Sequence, residues 1–437
     1  MFLNFLKNYS DFILTIPFII IFGVSALLTI ISRGIQFRCL SIVKNILRNS
    51  FDKKDYSDSS LPPLSALAMS MSTTIGIGNI VGPIVALGYG GPGTLFGFIL
   101  GTLLGSATTF TEVMLSILYR QKRTDGSIAG GPMEYLKKEL GNSWAFIYAF
   151  FGSMLLIAWS MSQSNTLAVL LSTNNISTLY SGIFLAVATL YILLKGVSWI
   201  GRISNFLVPF MFITYSVVTS LIIIKNAHKL PEIFNLIVTS FFSPKTAIAG
   251  TAGFGYSQML RWGFARAVQT NEIGTGTSTF PHSITTGNAK NQATLATIAV
   301  YTNGLLCILS SLTLLTSDLW QQAGTVFDIS LFNNILTQNY GSAGSIILTI
   351  CASMFAFGTI LGNCYNGSQC FLYVTKNKWL KEYFYISAIF IFLGAIANVS
   401  FVWSIADYFV IPVAVPHIIG LLIIAVRHPS IFKLTNN

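Results

Sequence analysis

Apolar runs of about 20 residues, long enough to cross a hydrocarbon core as helices, recur along nearly the whole of this sequence. In lipid every backbone N–H and C=O must find its partner inside the protein, and runs of that length do so as helices. With 53% hydrophobic and 9% charged residues and a mean hydropathy of +0.68, the 437 residues do not read as water-facing domains. The expected fold class is an all-α membrane protein crossing the bilayer many times.

The runs fall at about 12–31, then at 62–89, 93–119, 144–171, 178–194 and 203–224, then at 246–268, 291–316, 343–373, 383–403 and 406–426. The reading is eleven transmembrane helices, one leading helix followed by five and five. Lys7 ahead of the first run could suggest a signal peptide, but that run is longer than a usual h-region and leads into Arg33 and Arg38, so a retained span is expected. Alternating sides along eleven spans places all of the 25 basic residues except Lys7, Lys225, Lys229 and Lys245 on one face. That face is expected to be cytoplasmic, with the N-terminus outside and the C-terminus inside a cell (inner) membrane. The two sets of five then enter from opposite sides, as an inverted repeat. The chain divides into a leading helix with its cytoplasmic linker (1–61), a first repeat (62–224), an extracellular connection (225–245), a second repeat (246–426) and a cytoplasmic tail (427–437).

Composition also narrows function. The net charge of +11 is accounted for by topology and does not call for a nucleic-acid partner. Cys39, Cys307, Cys351, Cys364 and Cys370 lie mostly in apolar runs without CxxC or Cys/His spacing, so packed thiols are expected, with neither disulfides nor a metal site. HExxH and GxSxG are absent from the sequence, and an enzyme is not expected.

The stretch Met71–Gly93, MSTTIGIGNIVGPIVALGYGGPG, breaks the helical pattern. Gly76, Gly78, Gly82 and Pro83 interrupt an apolar run in which Thr73, Thr74 and Asn79 place polar groups at membrane depth. The sixth segment of the five-plus-five repeats the oddity in GTAGFGYSQ, Gly250–Gln258. Glycines in one run can simply allow close helix packing. A pair in corresponding positions points to two discontinuous helices and the central site of a transporter.

These blocks join others: GGPMEYL (130–136), SQSNTLA (162–168), VPFM (208–211), RWGFARAVQTNEIGTGTS (261–278) and FAFGTILGNCYNG (355–367). Together, and in this order, the chain resembles the alanine or glycine:cation symporters (the sodium:alanine symporters), a family similar in fold to the leucine-transporter inverted repeat. The resemblance implies import of a small neutral amino acid, alanine or glycine, by symport with sodium and alternating access, with no cofactor besides the co-transported ion. It implies that the amides of Ile77 and Gly78 receive the substrate carboxylate, as unpaired donors at a helix N-terminus can. Gly253, Phe254, Gly255 and Ser257 are expected to accept from its ammonium, with Thr74, Gln163 and Asn363 also facing the substrate and Asn165 a further candidate. For sodium the resemblance implies the carbonyls of Ser72 and Ile75 with the Thr359 hydroxyl, and a second site at Asn79 and the Thr74 carbonyl.

The chain departs from that family at 358–366, where the family reads close to STILGWSYY; Gly358 lacks an expected sodium-binding hydroxyl and Asn363 replaces a Trp. TSTFPHS (277–283) likewise replaces SAPIAHA. A proton-coupled or differently selective carrier, a channel and a transport-derived sensor are therefore the alternatives. Among ionisable residues, Glu112 is a coupling candidate unless it pairs with Arg120. Glu272 is expected to cap or to pair with Arg261 or Arg266 at a cytoplasmic gate, Asp407 to be interfacial, and His282 to be structural.

Overall fold

A computed structural model describes residues 2–44, 46, 61–123, 126–242, 256–285, 287–322 and 324–432. Apart from a hairpin that pairs Gln121–Lys122 with Ile128–Ala129, its regular structure is helical. The helices used below are α1 (Phe2–Ile31), α2 (Pro63–Thr74), α3 (Gly78–Gly90), α4 (Thr94–Leu118), α5 (Pro132–Leu140), α6 (Asn142–Ser172), α7 (Thr178–Lys195), α8 (Val197–Lys225), α9 (Leu230–Phe242), α10 (Tyr256–Thr270), α11 (Thr279–Ser283), α12 (Ala289–Thr316), α13 (Ile329–Tyr340), α14 (Ser342–Val374), α15 (Leu380–Ile396) and α16 (Val399–Arg427).

Among the described residues, eight stretches are long and apolar enough to cross a membrane, or nine if Pro17–Ile31 and the segment after its 62° bend count as one span. This is a multi-pass membrane protein. Of the remaining expected spans, the sixth is described only from Tyr256, and α15 is 17 residues long. The last turn between spans falls earlier than the run lengths suggest. Asn398 caps α16 by accepting from the Phe401 amide at 3.3 Å, so the break lies at 397–398 and not at 403–406. The long run at 343–373 is one unbroken helix, α14.

Burial separates inner from outer helices. In α4 and in the α2–α3 stretch 78% of the most apolar window is buried, against 33% in α7 and α8. Tyr180, Phe184, Val187, Phe206 and Ile213 project outward from α7 and α8, each more than half exposed. On a soluble protein such a surface would be an anomaly; on this one it is the face that lipid covers. All five cysteines are buried thiols.

Polar side chains tie the inner helices together. Asn165 of α6 donates to the carbonyls of Gly394 and Ala397 at 2.8 and 2.9 Å, and Ser164 donates to Ile391 at 2.6 Å. The amide nitrogen of Asn165 therefore ties α6 to the C-terminal end of α15. Hydrogen bonds between membrane helices contribute about 1 kcal/mol. Asn165→Leu is expected to lower the thermal stability of the detergent-solubilised protein by about that amount while leaving substrate affinity in place; a substrate affinity that falls with unchanged stability would reverse this assignment.

Candidate substrate and ion site at two helix breaks

The first interruption forms where side chains compete with the helix for its own carbonyls. Thr73 donates to Ser70 O at 2.6 Å, and Thr74 donates to the carbonyls of Ser70 and Met71, each at 3.3 Å. Such back-bonding weakens a helix, and the poor helix formers Gly76 and Gly78 follow at once. Ile75 leaves the helical region at φ −87°, ψ 87°, and α3 starts at Gly78. Two partners hold the opened turn. The Thr359 hydroxyl of α14 lies 3.0 Å from Ser72 O and 3.2 Å from Ile75 O. Gln163 of α6 accepts from the Ile77 amide at 3.0 Å.

Each glycine has a separate reason. A Cβ at Gly76 would stand 2.8 Å from both Gln163 Oε1 and Thr359 Oγ1, so only glycine lets those two side chains reach the backbone. A Cβ at Gly78 meets nothing within 4 Å, because that residue faces open space. Gly358 lies against Ser72, whose Oγ would be 2.6 Å from an added Cβ. The place a residue-358 side chain would take is thus filled by the Ser72 hydroxyl, and this buried oxygen has no hydrogen-bond partner among the described residues. The carbonyls of Ser72 and Ile75 and the Thr359 hydroxyl converge here, an all-oxygen set of the kind a hard cation takes.

Most of the second glycine stretch, 250–255, lies outside the described residues, and an interruption is seen further along the chain. Gly253, Phe254 and Gly255 lie outside the described residues, as does the side chain of Ser257. The backbone from Tyr256 is already helical, and within the described residues the break follows Thr270. It spans Asn271 to Ser278, with Glu272, Gly274 and Gly276 at φ 53°, 78° and 76°. Gly is the default residue for such values and Glu is not. The segment is fixed from four sides. Asn303 of α12 donates to Thr270 O at 2.7 Å and to Asn271 Oδ1 at 2.8 Å. Tyr148 of α6 donates to Thr275 O at 2.5 Å, His417 of α16 donates from Nδ1 to Gly274 O at 2.7 Å, and Asn366 of α14 donates to Thr277 O at 3.1 Å. α11, which contains Pro281, then runs for only five residues.

Asn303 also accepts from Asn79 at the start of α3 and so joins the two breaks. Asn303→Leu would strand donors or acceptors on Asn79, Thr270 and Asn271, and an unpaired buried polar group costs about 1–3 kcal/mol. A loss of that size in thermal unfolding is expected, with transport reduced in step.

Between the breaks lies a small cavity of about 60 Å³. Its walls are Thr73, Thr74, Gly76, Gly78 and Asn79 from α2, α3 and the turn between them, and Trp159, Ser162 and Gln163 from α6. Arg266, Gln269, Thr270 and Glu272 add the α10 side, Thr359 and Asn363 come from α14, and Trp403, Ala406 and Asp407 come from α16. Of the sequence-predicted residues, Thr74, Gly78, Gln163, Asn363, Asn79 and Thr359 meet here, with Ser72 and Ile75 just behind. Two expectations change. The Ile77 amide already donates to Gln163, and the Asn79 carboxamide is engaged by Asn303 while its carbonyl accepts from Ser310 at 2.8 Å.

The ionisable residues also move. Glu272 accepts from the Thr277 hydroxyl and does not pair with Arg266, whose guanidinium donates to Gln269 at 2.8 Å. Gln269 donates in turn to Asp407 at 2.8 Å, so Asp407 belongs to the cavity wall and is not interfacial. Arg266 stacks over Trp262, which stacks on Tyr89 at the far end of α3. That end is opposite the hairpin that follows Tyr119, so Arg266 leaves the side on which alternation placed it. Arg120 donates to the carbonyls of Ser283 and Thr285 and does not meet Glu112. Glu112 lies buried with its Oε1 3.8 Å from His417 Nδ1, and this oxygen has no hydrogen-bond partner among the described residues. His282 is buried against Gln292, 2.6 Å from its Oε1, a packing role. Sequence reasoning passed over His417, Tyr148 and Asn303; a lone polar residue inside an apolar run was their only signal.

Residues 1–435 match the sodium:alanine symporter family. The chain is 30% identical to an uncharacterised transporter of Bacillus subtilis over 98% of this chain and 93% of that one. It is also 30% identical to a sodium/alanine symporter of Methanococcus maripaludis over 87% of this chain and 85% of that one. Among solved structures it is similar to MhsT in complex with L-phenylalanine, with a TM-score of 0.60 at 14% identity, covering 85% of this chain and 90% of that one. At that identity the likeness concerns the fold.

Proposed function

Because this chain belongs to the sodium:alanine symporter family and is a transporter and not an enzyme, we propose that it carries a small neutral amino acid, alanine or glycine, into the cell together with sodium. The general activity, sodium-coupled amino-acid transport, follows from the family; the substrate, the ligands and the orientation are our reading. In that reading eleven spans form a leading helix (1–61 with its linker) and an inverted pair of repeats (62–224 and 246–426) joined by 225–245 and followed by a cytoplasmic tail (427–437). The N-terminus is outside the cell membrane.

The observation that carries the reading is the meeting of Thr359 with the carbonyls of Ser72 and Ile75 at the first break. Sodium would be held by those three oxygens with the Ser72 hydroxyl, and Thr74 and Asn79 would border a second position. The substrate carboxylate would lie at Gly78, with Gln163 and Thr74 around it and Asn363 facing another part of the substrate, and Gly253, Phe254, Gly255 and Ser257 remain the proposed partners of its ammonium. Coupling needs no covalent step. If ion and substrate both favour the same placement of α2 and α3 against α14, each raises the other's affinity by the same factor.

Reconstituted protein should accumulate radiolabelled alanine above equilibrium only under an inward sodium gradient. Uptake that merely equilibrates, with or without sodium, would point to a channel and overturn the proposal. A second reading, proton coupling, is favoured by Glu112. His417 donates to a carbonyl through Nδ1, meets the Tyr135 hydroxyl through Nε2 at 2.5 Å and stands 3.8 Å from the buried Glu112 carboxylate, a pairing of two groups that can each carry a proton. Accumulation driven by a pH gradient with sodium absent, and lost in Glu112→Gln, would establish that reading.

A further inference from the structure

Thr359, Asn363 and Asn366 follow one another on α14 at spacings of four and three, and so lie along one face of the helix. Thr359 reaches the carbonyls of the first break, and Asn366 donates to the Thr277 carbonyl of the second. Asn363 sits between them and spans to neither. It is 0% exposed, it lines the cavity, and neither its Oδ1 nor its Nδ2 has a hydrogen-bond partner among the described residues.

A buried carboxamide with every site unpaired is unfavourable, and a leucine of the same branched shape would carry no such cost. Buried polar groups in folded proteins are overwhelmingly paired. A partner supplied by the ligand resolves the conflict. The carboxylate of an amino acid only accepts and its ammonium only donates, whereas the side chain of Asn363 offers both an acceptor and a donor. Its complement is a group that also does both. A hydroxyl is the smallest such group.

We infer that the preferred substrate is a small amino acid with a hydroxyl side chain, serine before alanine, and that Asn363 reads the hydroxyl. The inference rests on the proposed amino-acid transport at this cavity. A site built to hydrogen-bond a hydroxyl discriminates strongly against an analogue that lacks it, because its own groups are then left unpaired.

The test is initial-rate uptake of radiolabelled serine, alanine and 2-aminobutyrate into proteoliposomes under an inward sodium gradient. 2-Aminobutyrate has a methyl group where serine has its hydroxyl, so the comparison separates size from hydrogen bonding and needs no variant. Serine is expected to exceed both others in kcat/KM by about tenfold or more. In Asn363→Leu the serine-to-alanine ratio should fall to about one or below. Sodium-driven alanine uptake with serine no better than alanine or 2-aminobutyrate would overturn the inference alone, Asn363 then being satisfied by water. An unchanged serine preference in Asn363→Leu would also overturn it. Failure of all three amino acids to accumulate would remove the proposed transport function, and this inference with it.

Discussion

Thr359→Val should raise the sodium concentration needed for half-maximal uptake by about tenfold or more. The substitution preserves volume and β-branching but deletes the hydroxyl that lies within 3.2 Å of both Ser72 O and Ile75 O. Leaving such buried groups unpaired costs about 1–3 kcal/mol, and each 1.4 kcal/mol is a factor of about ten in affinity. Thr359→Ser, which restores the oxygen, should recover most of the sodium affinity. The measurement is uptake titrated with sodium at constant ionic strength. An unchanged half-saturation in the valine variant would remove α14 from the ion site.

Gly78→Leu should cut uptake by about a hundredfold or more while the protein still inserts and unfolds at nearly its normal temperature. Gly78 combines two properties that no other glycine of the first break shares. It lines the cavity, and an added Cβ there touches nothing within 4 Å. A larger side chain therefore fills the binding space before it strains the fold. Gly76 offers a poorer test, since an added Cβ would press on Gln163 and Thr359 at 2.8 Å and disturb the break itself. Gly78→Ala should lose less than Gly78→Leu. If the leucine variant transports at the normal rate, the carboxylate lies elsewhere.

How much of this could be read from the chain depends on the range of the physics involved. The first break was legible because its causes are local: threonines that bond backward along the helix, then glycines within five residues. Thr359 was legible only through resemblance, since nothing in residues 355–367 alone states that a hydroxyl faces a carbonyl nearly 290 positions earlier. At the second break the glycine pattern pointed to 250–258, most of which lies outside the described residues, and it did not single out the interruption further along. GTAGFG carries more glycine, but the interruption seen in the described residues is NEIGTG, where three left-handed residues in five are held by Asn303, Tyr148, His417 and Asn366. Arg266 was assigned to the wrong half for the same reason. A helix taken to end near 268 placed it beside the cytoplasmic loops, whereas the chain turns at Thr270 and leaves it beside Trp262 and Gly82.

By itself the sequence determined that this chain lives in a bilayer as bundled helices, because hydrophobicity over about 20 residues is a sum over neighbours in the chain and lipid permits few alternatives. It likewise determined that one helix must open near Gly76. Which oxygens then face one another, that Asp407 and Glu272 share a cavity with Asn363, and that Asn363 has no hydrogen-bond partner among the described residues were decided only when α14 and α16 packed against the opened turns. Those contacts join residues far apart in the chain, and no local preference records them.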